Sequence, residues 1–143
     1  MILSDDSKRT LKNMLKTHEG FRQFPYFDTT GNLSIAYGRN LDSNGIAEQE
    51  GSILLDNDID FHLNELNNNL SFFSYLDEPR KMVLANMSYN LGFKNLMTFE
   101  KMLKALSVKA YDIAANEMID SIWYKQVGSR ADALVKIMRT GQL

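Results

Sequence analysis

Residues 18–39 read HEGFRQFPYFDTTGNLSIAYGR, and within this stretch the chain changes from a helical to an extended pattern. Before it, Leu11 and Leu15 recur one helical turn apart, and Gly20 is a typical helix end. After Gly20, apolar residues alternate on either side of the turn at 29–32. This alternation predicts a small β-hairpin, with room for a third short strand.

The remainder of the chain is patterned as helix. Ser4 predicts the N-cap of the first helix, and 40–45 is predicted to be a loop. The expected class is α+β, predominantly helical. The helices predicted after the loop are 47–68, a central buried one from Asp77 to Gly92, 99–106 capped by Thr98, one marked by 110–122, and one from Ser129, its cap, to Gly141.

Composition excludes several classes of protein. The chain has 143 residues, which favours one domain, and its lack of cysteine excludes a disulfide scaffold, a thiol nucleophile and thiolate metal sites. Two histidines make a multi-histidine metal site improbable, and a formal charge of −2 argues against a nucleic-acid-coating protein. Neither a membrane span nor a signal peptide is visible, so no membrane-spanning segment is expected.

Two carboxylates nine residues apart suggest chemistry. Glu19 falls in the last turn of the first helix, where the helix dipole disfavours a negative charge, and Asp28 falls at the end of a strand. A short turn joins the two elements, so both carboxyls can face one cleft. Glycoside hydrolysis requires such a pair in different environments. On spacing alone, however, most pairs of this kind are solvated surface charges.

Longer motifs resemble the phage-type lysozymes of glycoside hydrolase family 24. The resemblance covers nearly the whole chain and implies a lysozyme-like fold with a cleft between two lobes. The N-terminal lobe is expected at about 17–55, with the hairpin, and the C-terminal lobe at about 70–143 plus helix 4–16, all within one domain. The motifs are His18-Glu19-Gly20-Phe21-Arg22, residues 26–31 and 33–39, Asn86 to Gly92, Trp123 to Gln126, Arg130-Ala131 and Arg139-Thr140-Gly141.

The resemblance assigns catalytic roles to three residues. Glu19 takes the place of the general acid, Asp28 that of the second carboxylate, and Ser34 falls where the family usually has threonine. In the inverting reaction, Asp28 and the hydroxyl hold a water against the far face of the sugar, with the carboxyls roughly 6.5–9.5 Å apart. Serine and threonine offer the same donor and acceptors, so the exchange is mild.

Supporting and substrate-binding residues follow from the same resemblance. Arg130 corresponds to the arginine that pairs with the general acid. Trp123 is expected to pack against the central helix, with its indole N–H near Asn90. Arg39 stands where the family has histidine and is expected to pair with an acid on the long helix. Ala47 replaces the family's usual hydroxyl cap of that helix, which leaves Ser43 or Asn44 as the expected cap. The positions that line the sugar cleft are Gly38, Tyr89, Asn90 and Gln126.

The implied activity is hydrolysis of the β-1,4 bond between N-acetylmuramic acid and N-acetylglucosamine in bacterial peptidoglycan, for host cell lysis. No cofactor or metal is expected, and the protein should be a monomer. It should be held in the host cytoplasm and reach the wall with the help of a holin. Two alternatives remain: a catalytically weak lysozyme-like module that binds the wall or serves in a phage particle, and an enzyme acting on another polysaccharide such as chitin. Because the charge is −2, long-range attraction to an anionic wall should be weak.

Overall fold

A computed structural model describes all 143 residues, which divide into two compact units, Met1–Ser52 and Ile53–Leu143. The first unit opens with helix α1, Asp5–Glu19. The Ser4 side chain accepts a hydrogen bond from the backbone N–H of Ser7 and so caps the helix, as predicted. Gly20 ends the helix with a φ of 70°, a conformation that glycine adopts at little cost. The resemblance groups residues 4–16 with the C-terminal lobe, and both this grouping and the single domain stay predictions.

A three-stranded antiparallel sheet follows, in the order β1-β2-β3, and it confirms the predicted hairpin with its third strand. The strands are β1 (Arg22–Phe27), β2 (Leu33–Ala36) and β3 (Arg39–Asn40). Ser34 on the central strand lies opposite Tyr26 on one side and Asn40 on the other. At the end of β2, Ala36 has a φ of 59°, in the left-handed region that residues other than glycine rarely adopt.

The segment predicted as a loop at 40–45 contains a one-turn helix, α2 (Leu41–Asn44), so that prediction is wrong. The Asn40 side chain accepts from the backbone N–H of Ser43 and caps this turn. Ser43 and Asn44 belong to α2 and do not cap the long helix, so that prediction is also wrong. At the start of the long helix, the backbone N–H of Ala47 donates to the side chain of Glu50 at 2.9 Å. Glu50 thus supplies one half of a capping box, the carboxylate that accepts from the N–H of the cap residue, while the hydroxyl half is absent at Ala47.

The long helix α3 (Glu48–Asn69) confirms the prediction within one residue at each end, and the boundary between the two units falls within it. Thr98 does not cap the helix at Glu100–Ser107; its hydroxyl donates to the carbonyl of Asn95 and closes the short helix Phe93–Met97. Ser129 is the first residue of the last helix, Ser129–Thr140, rather than its cap, and the helix predicted through Ile122 ends at Ile119. Beyond a 3₁₀ turn at Phe73–Tyr75, the helices are α4 (Glu78–Leu91), α5 (Phe93–Met97), α6 (Glu100–Ser107), α7 (Tyr111–Ile119), α8 (Ile122–Val127) and α9 (Ser129–Thr140).

The apolar core lies in the second unit. All nineteen buried apolar side chains fall between Leu66 and Met138, and α4 contributes Val83, Leu84 and Met87, as expected of the central helix. The guanidinium of Arg80 is buried here as well: its Nε donates to the carbonyl of Met138 at 2.7 Å. The predominantly helical α+β class is thus confirmed. None of the helices combines the length and the apolar character needed to cross a membrane.

Candidate active site

Glu19 lies in the last turn of α1, and the turn between β2 and β3 approaches its carboxylate. A Cβ atom at Gly38 would lie 3.5 Å from Oε2 of Glu19, so only a short gap separates that backbone from the acid. Gly38 has a φ of 82°, which glycine alone adopts readily. Glu19, Tyr37 and Gly38 line a cavity of about 500 Å³ together with side chains of α1.

Asp28 directly follows β1, and the turn after it is built around its carboxylate. Oδ1 accepts three hydrogen bonds: from the backbone N–H of Thr30 at 2.9 Å, from the Thr30 hydroxyl at 2.8 Å and from the backbone N–H of Asn32 at 2.9 Å. The bond from the Asn32 backbone, followed by that from the Thr30 hydroxyl, holds the pKa of Asp28 below its usual value. Asp28 is therefore a carboxylate whose Oδ1 is fully engaged and whose Oδ2 remains open.

The turn residues Thr30 and Asn32 were not identified as functional from the sequence. Their signal was present, because an aspartate followed by Thr-Thr-Gly-Asn is typical of a turn in which the Asp side chain binds backbone groups two residues or more ahead. They fix the orientation of Asp28 and leave one face of its carboxylate available.

Ser34 is the only buried residue of the first unit, with 2% of its surface exposed. Its position on the central strand fixes its backbone by pairing on both sides. The adjacent pair, Leu33 and Phe27, brings the start of β2 beside the end of β1, and Asp28 continues the pairing by donating its N–H to the carbonyl of Asn32 at 2.8 Å. Glu19, Asp28, Ser34 and Gly38 thus belong to one unit built from a helix end and a small sheet.

Arg39 pairs with Glu50 on α3, as predicted. Its two terminal nitrogens donate to the two carboxylate oxygens at 2.9 and 2.7 Å, and Nη1 also donates to the carbonyl of Gly45 at 3.0 Å. The hydrogen bond from Arg39 lowers the pKa of Glu50, and the same bond raises that of Arg39. Arginine therefore serves in place of the family's histidine, and it ties β3 to the start of α3.

The remaining predicted site residues belong to the second unit. Trp123 donates its indole N–H to Oδ1 of Asn90 at 3.1 Å, which confirms the contact expected from the resemblance. Because this bond occupies the Asn90 oxygen, its amide nitrogen remains as a donor. Trp123 and Gln126 line a cavity of about 510 Å³ beside α6 and α7.

Arg130 binds Asn86 within the second unit. Its Nε and Nη2 both donate to Oδ1 of Asn86, the former at 3.1 Å. Arg130, Tyr89 and His62 line an apolar pocket of about 320 Å³. The pairing of Arg130 with the general acid stays a prediction.

These features define a class of site. A glutamate at a helix end and a hydrogen-bonded aspartate held in its charged form are two carboxyl groups of the kind that acid–base hydrolysis of a glycoside uses, and Ser34 adds a buried hydroxyl in the same unit. No cluster of three or more histidine and acidic side chains that could hold a metal ion occurs in the structure. The first unit thus has the groups of a glycoside hydrolase.

Comparison with known proteins identifies the family. The profile of the family described as phage lysozyme matches residues 16–140, so the chain belongs to this family. It is a lysozyme, that is, a muramidase-type peptidoglycan hydrolase.

Three similar proteins extend the comparison. "Probable T4-type lysozyme 2" of Dictyostelium discoideum is 30% identical over 94% of this chain and 96% of its own length. "Probable T4-type lysozyme 1" of the same organism is 28% identical over the same shares. The pre-baseplate central spike protein Gp5 of Enterobacteria phage T4 is 25% identical over 97% of this chain but only 29% of its own length. A sequence similar to this chain therefore makes up nearly all of two proteins and a part of a larger phage protein.

Proposed function

We propose that the enzyme cleaves the β-1,4 bond between N-acetylmuramic acid and N-acetylglucosamine, with inversion at the anomeric carbon. The observation that carries this proposal is the state of Asp28, whose Oδ1 is saturated by three donors while Oδ2 is open. A carboxylate held charged by its own turn keeps one oxygen open to accept a hydrogen bond from water, and the hydroxyl of Ser34 on β2 is a second group that can orient that water.

In the proposed reaction, Glu19 donates a proton to the glycosidic oxygen as the bond from this oxygen to the anomeric carbon breaks. A water molecule held by Oδ2 of Asp28 and the hydroxyl of Ser34 attacks the anomeric carbon from the opposite face. Asp28 accepts the proton that this water loses. The products are one new hydroxyl on each sugar, and the protons balance when Asp28 returns its proton to Glu19 through solvent.

The second unit supplies the proposed supporting contacts. Asn90 has a free amide nitrogen once its oxygen accepts from Trp123, and it can donate to a sugar oxygen or to an intervening water. We assign similar roles to Gln126 and Tyr89, and we assign Gly38 to substrate backbone contact in the first unit. Arg130, an exposed residue whose Nε and Nη2 bind Asn86, is assigned to pairing with Glu19.

We further propose that the protein acts as a monomer in lysis of a bacterial host, stored in the host cytoplasm and released to the wall by a holin. The similarity to part of a phage spike protein favours one second candidate, a lysozyme-like module that binds the wall or serves in a phage particle with little turnover. The proposed catalytic groups are all present in this chain, which favours the enzyme.

Digestion of purified peptidoglycan tests the proposal, with Glu19→Gln as the control. The expected products have N-acetylmuramic acid at the reducing end by mass spectrometry, and the first product seen by NMR has the α-anomeric configuration. Release of β-anomer first would contradict inversion. Binding to the wall without product release would favour the module, and digestion of chitin in preference to peptidoglycan would contradict the substrate.

A further inference from the structure

Three lysines form a row along one edge of α1. Lys8, Lys12 and Lys16 follow each other at intervals of four residues, so their side chains lie one above another on the helix. Glu19 comes three residues after the last of them, on the same edge. All four side chains line the cavity of about 500 Å³.

The three lysines have no acidic partner. The ion pairs of the structure are Arg9–Asp6, Arg39–Glu50, Arg80–Asp77 and Arg139–Asp112, and none includes a lysine. Like charges four residues apart on a helix repel each other and weaken it. The row therefore does not stabilise α1, and a role in binding an anion accounts for three lysines beside Glu19 better than a structural role does.

The row is anchored at the end nearest Glu19. The Lys16 ammonium lies 5.4 Å from the centre of the Tyr37 ring, a cation–π distance, and Tyr37 in turn packs on Phe21 with ring centres 5.4 Å apart. Tyr37 directly precedes Gly38, the backbone of which approaches Glu19. An anion bound along this edge would thus be held at a fixed place relative to the general acid.

We propose that Lys8, Lys12 and Lys16 bind the carboxylates of the peptide attached to N-acetylmuramic acid, next to the bond that is cleaved. This inference rests on the proposed function. Eight helical residues rise about 12 Å, which is the length of an extended peptide of about four residues. The row therefore matches a short peptide with carboxylates along it, and it gives a protein of net charge −2 a local attraction to an anionic substrate.

The test compares two double variants of equal charge. Lys8→Gln/Lys12→Gln removes two charges from the row, and Lys104→Gln/Lys136→Gln removes two exposed charges from α6 and α9 as the control. Glutamine and lysine have similar helix propensities, so both variants should fold like the parent protein. On soluble peptidoglycan strands the row variant should show KM raised about three- to tenfold with kcat unchanged, an effect that added salt reduces. An equal rise in the control variant, or no rise in the row variant, would overturn the proposal.

Modified substrates identify the anion. On peptidoglycan whose carboxyl groups have been amidated, the parent protein and the row variant should have the same KM. On peptidoglycan stripped of phosphate-containing polymers, the difference between them should persist. If stripping abolishes the difference, the row binds phosphate and the assignment to peptide carboxylates is wrong.

Binding without turnover separates this inference from the proposed function. In a Glu19→Gln background, the two lysine changes should still weaken co-sedimentation with insoluble peptidoglycan by about three- to tenfold in Kd. A parent protein that releases no products would refute the proposed function, but the row would still be supported if this binding difference appears. Normal product release with no difference in binding would refute the row alone.

Discussion

The two units of the molecule are built on different principles. The first, Met1–Ser52, has one buried residue, Ser34, and its proposed catalytic groups are held by hydrogen bonds, a tight turn and an ion pair. The second contains all nineteen buried apolar side chains, and its buried Arg80 donates to two main-chain carbonyls and pairs with Asp77. The proposed catalytic groups thus lie where polar contacts fix their geometry, and the apolar burial that stabilises a fold is concentrated in the second unit.

This contrast has a consequence for mutation. Changes in the first unit should alter the rate of reaction while leaving the free energy of unfolding nearly unchanged. Changes in the core of the second unit should lower the free energy of unfolding while leaving the folded fraction active. Four variants test this separation.

The largest effect is expected from Glu19→Gln in the first unit. The amide keeps the shape of the side chain but cannot donate the proton, so kcat on peptidoglycan should fall by about 10²- to 10⁴-fold. The unfolding temperature should match that of the parent protein by circular dichroism. Glu48→Gln, an exposed acid in the same unit, should retain full activity. A Glu19→Gln enzyme that keeps its activity would remove Glu19 from the mechanism.

Met87→Ala in the second unit should give the largest loss of stability. Met87 is fully buried on α4, and its truncation leaves a cavity, so urea denaturation should show a loss of about 2–5 kcal/mol. Met82 on the same helix is 51% exposed, and Met82→Ala should cost far less. The kcat of the folded Met87→Ala protein should be unchanged; a large fall would show that the core and the chemistry are coupled.

Ser34 is the one buried residue of the first unit, and its substitution should change the rate of reaction more than the stability. Ser34→Ala removes one hydrogen bond to the proposed water, so kcat should fall by about tenfold. Ser34→Thr restores the hydroxyl and should recover most of this loss. If Ser34→Ala hydrolyses peptidoglycan as fast as the parent protein, the hydroxyl does not orient the water.

The smallest effect concerns acid stability. The pKa of Asp28 is lower in the folded protein than its usual value, so its contribution to stability is present above the unfolded pKa of about 3.9 and is lost as pH falls through the folded value. Asp28→Asn cannot ionise, so the gap in unfolding temperature between parent and variant should narrow as pH falls from about 7 to about 3. A gap that stays constant with pH would show that ionisation of Asp28 adds no stability.

Local signals made the main elements predictable. Ser4 and Gly20 bound α1, and a capping aspartate followed by proline marks the start of α4, because these residues satisfy or end the helix by themselves. Periodicity failed for α2 and α5, each of five residues or fewer, since such short helices depend on a single side-chain cap or turn rather than on a repeating face.

The site was predictable in part. The resemblance identified the contact between Trp123 and Asn90, which no local pattern could supply because the two residues are 33 positions apart. Spacing suggested Glu19 and Asp28 as a pair. The approach of the Gly38 backbone to Glu19 depends on how the sheet packs beside the end of α1. No pattern in the sequence predicts this packing.

Ala36 strains the backbone next to the proposed site, because its φ lies in the left-handed region. An L-residue in the left-handed region costs roughly 1–2 kcal/mol, and Ala36 stores this cost at the turn that brings Gly38 to Glu19. The strand beyond it, β3, has only two residues, so few hydrogen bonds oppose relaxation. The backbone beside Glu19 should therefore open locally, and the amide hydrogen of Arg39 should exchange with solvent long before those of the buried helix α4.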